Sequence, residues 1–246
     1  MLAKQDGSTG VALVTGGTGG VGAAVVARLV EDGYHVFAAG RSAEPGRDGS
    51  VTRHRIDVRD PASVDAAIAA ACELGPLRAV VTSHGVVFKT PPRTMTEEDL
   101  LTTLDVNLAG TARVLRAAAD RIADGGSIVT VSSVGGSRGW ASDGVAYGAS
   151  KAGIEALTRY YAVALAGRAV RVNSVVPGPL EHPMAGTGGA VRDSLGDFDA
   201  AIKALIPLGR PLTLSEVASA VGFLVSGHAS GITGAALPVE GGLLAK

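Results

Sequence analysis

A chain of 246 residues, 46% of them hydrophobic, is long enough to bury one full core and too apolar to stay disordered. Its formal net charge of −1, with no dense block of basic residues, gives no support for nucleic-acid binding or for attraction to an anionic membrane surface. A single cysteine, Cys72 in an Ala-rich stretch, leaves no internal disulfide; the polar residues 1–10 lack an apolar signal core and no apolar run reaches the ~20 residues of a membrane span, so a cytoplasmic protein is expected.

Short β-branched runs alternate with longer Ala-rich stretches. The pattern predicts a strand over 11–15, a helix over 20–32 stopped by Gly33, and a strand over 34–40 followed by a polar loop to Ser50. A strand over 52–56, a helix over 61–74 opened by Pro61, and a strand over 79–83 come next. Residues 96–123 read as helical, as one long helix or two joined pieces. A fifth strand over 127–132, a helix over 146–166 closed by Gly167, a sixth strand over 170–176 ended by Pro177, a helix over 215–226 and a short strand over 235–239 follow. Strands alternating with helices at this spacing imply βαβ crossovers. The expected class is α/β, a doubly wound parallel sheet flanked by helices on both faces, in one domain over 1–246. The irregular stretch 178–211, with Gly186, Gly188 and Gly189, reads as a lid, a binding loop or disorder.

Directly after the first strand stands Thr15-Gly16-Gly17-Thr18-Gly19-Gly20-Val21-Gly22. Glycines there allow a tight turn and close backbone approach to a pyrophosphate, and the helix that follows offers free N–H groups at its positive dipole end. Gly16, Thr18, Gly19, Gly20 and Val21 are therefore candidates for holding a dinucleotide; a plain turn is the alternative. The second strand ends Ala39-Gly40-Arg41-Ser42, without the acid that would bind the ribose 2′-hydroxyl of NAD. Arg41 can pair with a 2′-phosphate and Ser42 can add a hydrogen bond, which favours NADP(H) over NAD(H). Asp57 and Val58 fall where an adenine would reach, although Asp57 would serve equally as a cap for the helix near Pro61.

Tyr147 and Lys151 stand at i and i+4, neighbours on one helix face. A nearby ammonium would lower the phenol's pKa toward neutrality and make it a usable acid and base. Alone, the spacing is equally that of an exposed amphipathic helix. Fourteen residues before Tyr147, Ser133 follows the fifth strand at the edge that faces the ligand crevice of an open α/β sheet; it can hydrogen-bond a substrate oxygen, while Ser132 should point to the opposite side. Asn107, unfavourable inside a helix, can hold a water between its backbone and Lys151 and complete a proton relay, or be an ordinary surface residue.

In order and spacing these pieces resemble the short-chain dehydrogenase/reductase family, in its single-domain branch, and are similar to 3-oxoacyl-acyl-carrier-protein reductase-like ketoreductases. The resemblance runs from Val11 to Gly242 and includes Asn173, Pro177-Gly178 and the tail from Gly231 to Gly242. It implies a Rossmann-type fold, a nicotinamide cofactor, an Asn107-Ser133-Tyr147-Lys151 tetrad, Pro177, Gly178 and Leu180 beside the nicotinamide, and a homotetramer or homodimer. Two departures stand out. The family's Asn-Asn-Ala-Gly is Thr82-Ser83-His84-Gly85 here: Gly85 keeps the close approach, Ser83 substitutes in part, and His84 is large where a small residue is usual. A threonine common after Pro-Gly is replaced by His182. Candidate walls for a mostly apolar substrate, such as an acyl thioester or a cyclic ketone, are Val87, Phe88, Val134, Trp140, His182 and Met184. The expected reaction interconverts a carbonyl and an alcohol, no metal being implied; the rivals are a non-catalytic dinucleotide sensor or scaffold, and an epimerase or dehydratase.

Overall fold

In the computed structural model the described residues are 10–139, 144–181 and 204–245; Trp140, His182 and Met184 lie outside them. Eight strands form one sheet: β1 Val11–Thr15, β2 His35–Gly40, β3 Gly46–Asp48, β4 Val51–Arg55, β5 Leu77–Thr82, β6 Ser127–Val131, β7 Arg171–Pro177 and β8 Ala236–Val239, in the spatial order β3-β4-β2-β1-β5-β6-β7-β8. All neighbours are parallel except β3 and β4.

The reason the central strands carry almost no polar residue is visible in β1. Side chains alternate across a strand. Val11 and Leu13 enter one core with α2 (Pro61–Glu73), α4 (Gly110–Ala119) and α6 (Val145–Leu165). Ala12 and Val14 enter a second core with α1 (Gly20–Glu31) and α7 (Leu214–Val225). Both faces of the sheet's centre are thus dry, and parallel strands buried on both faces need continuous apolar runs.

Local chemistry sets the helix ends. Asp60 caps α2, its carboxylate accepting from the Ala62 N–H at 2.9 Å, with Pro61 in the first turn. Asp57 therefore does not cap this helix. Thr213 and Glu216 close a reciprocal capping box on α7.

Two elements differ from the expectation. The loop before Ser50 contains β3, which turns back on β4 through Gly49-Ser50, with Gly49 at φ +55° supplying the left-handed residue such a two-residue turn requires. The long helical stretch is α3 (Glu97–Leu104), a π-helical turn over Asp105–Ala109, and then α4, ending at Ala119. Local π turns widen the helix by one residue and are common at functional sites; this one carries Asn107.

β1 pairs with β2 on one side and β5 on the other, so the connections depart in opposite directions from this point and leave a crevice above the strand ends. Among the described residues no helix is long and apolar enough to cross a membrane, and no cluster of side chains suited to a metal ion is present.

Candidate active site

A crevice of about 460 Å³ opens where the chain reverses around β1 and β5. All the residues expected to hold a dinucleotide line it: Gly16, Thr18, Gly19, Gly20, Val21, Arg41, Ser42, Asp57, Val58, Ser83, Gly85, Tyr147, Lys151, Pro177, Gly178 and Leu180. Ser133 lines it too, and His84 joins them.

The glycine turn is shaped by close backbone contacts. A Cβ at Gly16, where φ is +73°, would stand 2.7 Å from the His84 nitrogen, and one at Gly22 would stand 2.1 Å from the Gly16 oxygen. By contrast, a Cβ at Gly19 or Gly20 would meet nothing within 4 Å, so this side of the turn is open. The N-cap of α1 is Gly19, which supplies no side-chain hydrogen bond. The first N–H groups of α1 therefore face the crevice without a side-chain partner, which is the donor set a phosphate takes.

At the far end of the turn, Arg41 and Ser42 are exposed after β2. Arg55, which pairs with Gly40 in the register of β4 with β2, lines an adjoining hollow together with Arg41 and Ser42. Neither Arg41 nor Arg55 forms an ion pair with a described residue, whereas Arg59 is committed to Asp57 through a contact of 2.6 Å. That guanidinium and the Arg59 N–H hold the Asp57 carboxyl down at about 2.

At the opposite end, the catalytic candidates converge. Ser133, extended at φ −170°, follows β6 and caps the short helix α5 (Val134–Ser137), its Oγ accepting from the Gly135 N–H at 3.2 Å. Its hydroxyl also acts on the Tyr147 phenol, favouring the charged form. Three glycines let α5 lie directly on α6. A Cβ at Gly136 would come within 2.7 Å of the Ala152 nitrogen, a Cβ at Gly148 within 2.7 Å of the Gly135 oxygen, and a Cβ at Gly135 within 3.6 Å of the Tyr147 ring. Ser132 turns away, as strand alternation requires, and donates to the Lys151 carbonyl at 3.0 Å and to Glu155 at 2.9 Å.

Lys151 is 4% exposed, and its ammonium donates to the Val131 carbonyl at 2.8 Å. Burial lowers it to about 8. The expectation that this ammonium depresses the Tyr147 pKa is not met. Burial raises the phenol above its usual value of 10.0, and the Ser133 hydroxyl opposes that only in part. The leading cause is burial; Nζ, 5.5 Å from the centroid of the Tyr147 ring, donates one of its hydrogens to the Val131 carbonyl and contributes no resolved lowering.

Asn107 stands behind the crevice wall, fully buried. Its Oδ1 accepts from the Val86 N–H at 2.8 Å, and its Nδ2 donates to the Val86 carbonyl at 2.9 Å and to Ser150 Oγ at 3.1 Å. A surface role is thereby replaced by a clamp that fixes the segment after β5 against the π turn. A Cβ at Gly85 would lie 3.2 Å from Asn107 Oδ1 and 3.8 Å from Lys151 Nζ, which brings Asn107 and Lys151 together at this point of the crevice wall.

The substrate candidates are dispersed. Val134 is 1% exposed and packs with Val176 and Leu243, so it belongs to a small core and not to the crevice lining. Val87 is half-buried and Phe88 is 39% exposed; neither lines the crevice. Sequence reasoning missed Val86, the Val131 carbonyl, Arg55 and the glycines of α5. Carbonyl acceptors leave no residue-type signal, but the pair Gly135-Gly136 beside Gly148 was available as a mark of close helix approach.

The profile of a family described as enoyl-(acyl carrier protein) reductase matches residues 16–244. The chain belongs to the short-chain dehydrogenase/reductase family. It is an oxidoreductase of that family by the match over nearly its whole length. It is 36% identical to the D-threitol dehydrogenase of Mycolicibacterium smegmatis, over 99% of this chain and 95% of the relative. It is 34% identical to the 3-oxoacyl-[acyl-carrier-protein] reductase MabA of Mycobacterium tuberculosis, over 94% and 91%. A solved structure of a variant actinorhodin polyketide ketoreductase with NADPH superposes with a TM-score of 0.83 at 31% identity, covering 95% of this chain and 97% of that one.

Proposed function

We propose that this short-chain dehydrogenase/reductase interconverts a small-molecule carbonyl and a secondary alcohol with NADP(H), Tyr147 exchanging the proton. The observation that carries this is that Ser133, Tyr147 and Lys151 line the same crevice as an uncapped helix N-terminus. The bound nicotinamide dinucleotide supplies hydride transfer to or from the substrate carbon.

The open side of the glycine turn and the first turn of α1 take the pyrophosphate. Arg41 and Ser42 take a 2′-phosphate; a guanidinium there that forms no ion pair with a described residue, with no acid at the end of β2, favours that phosphate over a bare hydroxyl. Relatives support the choice, since the actinorhodin ketoreductase structure carries NADPH.

In the reducing direction Ser133 and Tyr147 both reach the substrate oxygen. As hydride reaches the carbon, the carbonyl π bond opens onto that oxygen and Tyr147 gives it the phenolic proton. A phenol whose pKa stays high is a competent donor to an alkoxide. Lys151 returns the proton to Tyr147, and Asn107, whose side chain is fully occupied, leaves its main chain for the relay. Oxidation runs the same steps in reverse.

The test is NADPH oxidation against a panel holding acyl thioesters, cyclic ketones, aldoses and an enoyl thioester, repeated with NADH. Carbonyl turnover with NADPH is expected. Turnover of the enoyl thioester alone would replace the reaction, and a strong NADH preference would replace the cofactor.

A further inference from the structure

His84 is the residue for which the chemistry above has no use. It follows Thr82 and Ser83 where β5 ends, it lines the crevice, and its side chain is larger than the turn needs. Its surroundings give it a specific task.

On one side the ring meets β1. Nδ1 lies 2.7 Å from the Thr15 hydroxyl, and Thr15 is fully buried. The main chains meet at the same place. The Ser83 N–H donates to the Thr15 carbonyl at 3.0 Å, and a Cβ at Gly16 would come within 2.8 Å of the His84 Cα. The last residue of β1 and the first glycine of the phosphate turn are thus seated on His84, by backbone contact and by its imidazole.

On the other side the ring reaches the start of α4. A Cβ at Gly110 would stand 3.2 Å from Nε2 and 2.8 Å from Val58, which is itself a crevice wall. Nε2 is enclosed and closes no hydrogen bond. The next two residues along the chain, Gly85 and Val86, are those placed against Lys151 and held by Asn107.

Electrostatics fixes the form of the ring. Burial, and after it the Lys151 ammonium, lower His84 to about 3, while the Val106 backbone acts in the opposite direction, as an acceptor facing the ring does. A second cation beside buried Lys151 is therefore disfavoured, and the imidazole stays neutral at working pH. The Val106 backbone acceptor suits a ring proton on Nε2, toward the π turn, and Nδ1 in that tautomer accepts from the Thr15 hydroxyl.

We propose that His84 is a positioning residue: through Thr15 it locks the phosphate-binding turn to the segment carrying Gly85 and Val86, and so sets how the two ends of one bound dinucleotide lie relative to Lys151. The proposal rests on the reading of the crevice as a nicotinamide dinucleotide site. It assigns His84 to no proton transfer with substrate.

The test uses the full-length protein, with NADPH and NADH as probes and dissociation constants read from the cofactor's fluorescence. In His84→Asn the amide oxygen falls near the place of Nδ1 and accepts from Thr15; in His84→Phe the bulk is kept and the acceptor is lost. His84→Phe is expected to weaken NADPH and NADH alike by about fivefold, the effect of one hydrogen bond. His84→Asn is expected to restore binding to within twofold of the parent. Thr15→Val should weaken binding similarly and add nothing in the His84→Phe background, because both remove the same bond. Parent-like binding by His84→Phe, a loss in His84→Asn as large as in His84→Phe, or additive losses would each overturn the proposal. A parent protein that binds neither dinucleotide would instead overturn the functional reading itself. Should His84→Phe fail to fold, the Asn and Thr15→Val comparison decides alone: parent-like binding by Thr15→Val sinks the lock.

Discussion

The Lys151 ammonium, 5.5 Å from the centroid of the Tyr147 ring, donates one hydrogen to the Val131 carbonyl at 2.8 Å, which anchors it to β6. This arrangement separates two properties that the i, i+4 spacing alone had joined. Lys151 is positioned by the strand, while the nearby Ser133 hydroxyl acts on the Tyr147 phenol.

Replacing Tyr147 by Phe removes the proton donor while keeping the ring over Lys151. Turnover should fall by about 10³-fold, within the range general acid–base catalysis supplies. NADPH affinity should stay within a few-fold of the parent. Steady-state kinetics together with a cofactor titration check both halves, and comparable turnover would remove Tyr147 from the chemistry.

Arg41→Ala should weaken NADPH by about tenfold or more, the scale of a lost charge-assisted hydrogen bond, and leave NADH nearly unchanged. The weakening should shrink as salt is raised, since Arg41 is exposed. Equal losses for both cofactors would mean that Arg41 shapes the turn and does not read the phosphate.

Lys151 makes a prediction about stability. Its pKa is about 8 in the fold against the usual 10.5, so between these values the unfolded chain holds more protons than the native one. Stability from this group therefore rises as pH climbs from 8 through 10.5, and below 8 the cost of burying the charge is fully present. Two and a half pH units correspond to about 3 kcal/mol. In Lys151→Met that gain disappears. Urea unfolding across this range should show the parent gaining on the variant by roughly that amount, and parallel curves would contradict it.

Gly136→Ala tests the seat of α5. The added Cβ meets the backbone of Lys151 and Ala152 at 2.8 and 2.7 Å, where no flexible side chain can yield. The variant should lose about 1–3 kcal/mol by overpacking. It should also lose turnover with little change in cofactor affinity, because the displaced element carries Ser133 while the phosphate turn lies across the crevice. Unaltered kinetics would show that Ser133 is held by β6 alone.

Much of this architecture is legible in the chain because a doubly buried strand leaves a continuous apolar run, as in β1 and β6, and because Gly33 and Pro61 punctuate at the positions their backbone chemistry demands. The crevice residues were legible for the same reason: they follow strand ends, and strand ends were visible. The hairpin of β3 was hidden because Gly46–Asp48 is exposed and polar, its pairing fixed by Gly49 and by backbone bonds to β4. The π turn was hidden because a one-residue widening shifts the apolar period too little to read over five residues. The role of Asn107 depended on Val86, a main-chain partner twenty-one residues away that no spacing rule connects to it. Val134 was misplaced because a hydrophobic residue beside a catalytic serine is equally suited to a wall or to a core, and here Val176 and Leu243 claim it.

The small strand β3 has a consequence for how the molecule behaves in a crowded solution. An unpaired parallel edge is a template on which another chain can zip. Three exposed residues carrying Arg47 and Asp48 lie along β4 in the opposite direction and pair with Val51, Thr52 and Arg53. As the new edge they offer a visitor a stretch too short and too charged to extend readily. Growth on that side of the sheet is thereby discouraged, while the rim beside Arg41 and Arg55 stays open for a ligand.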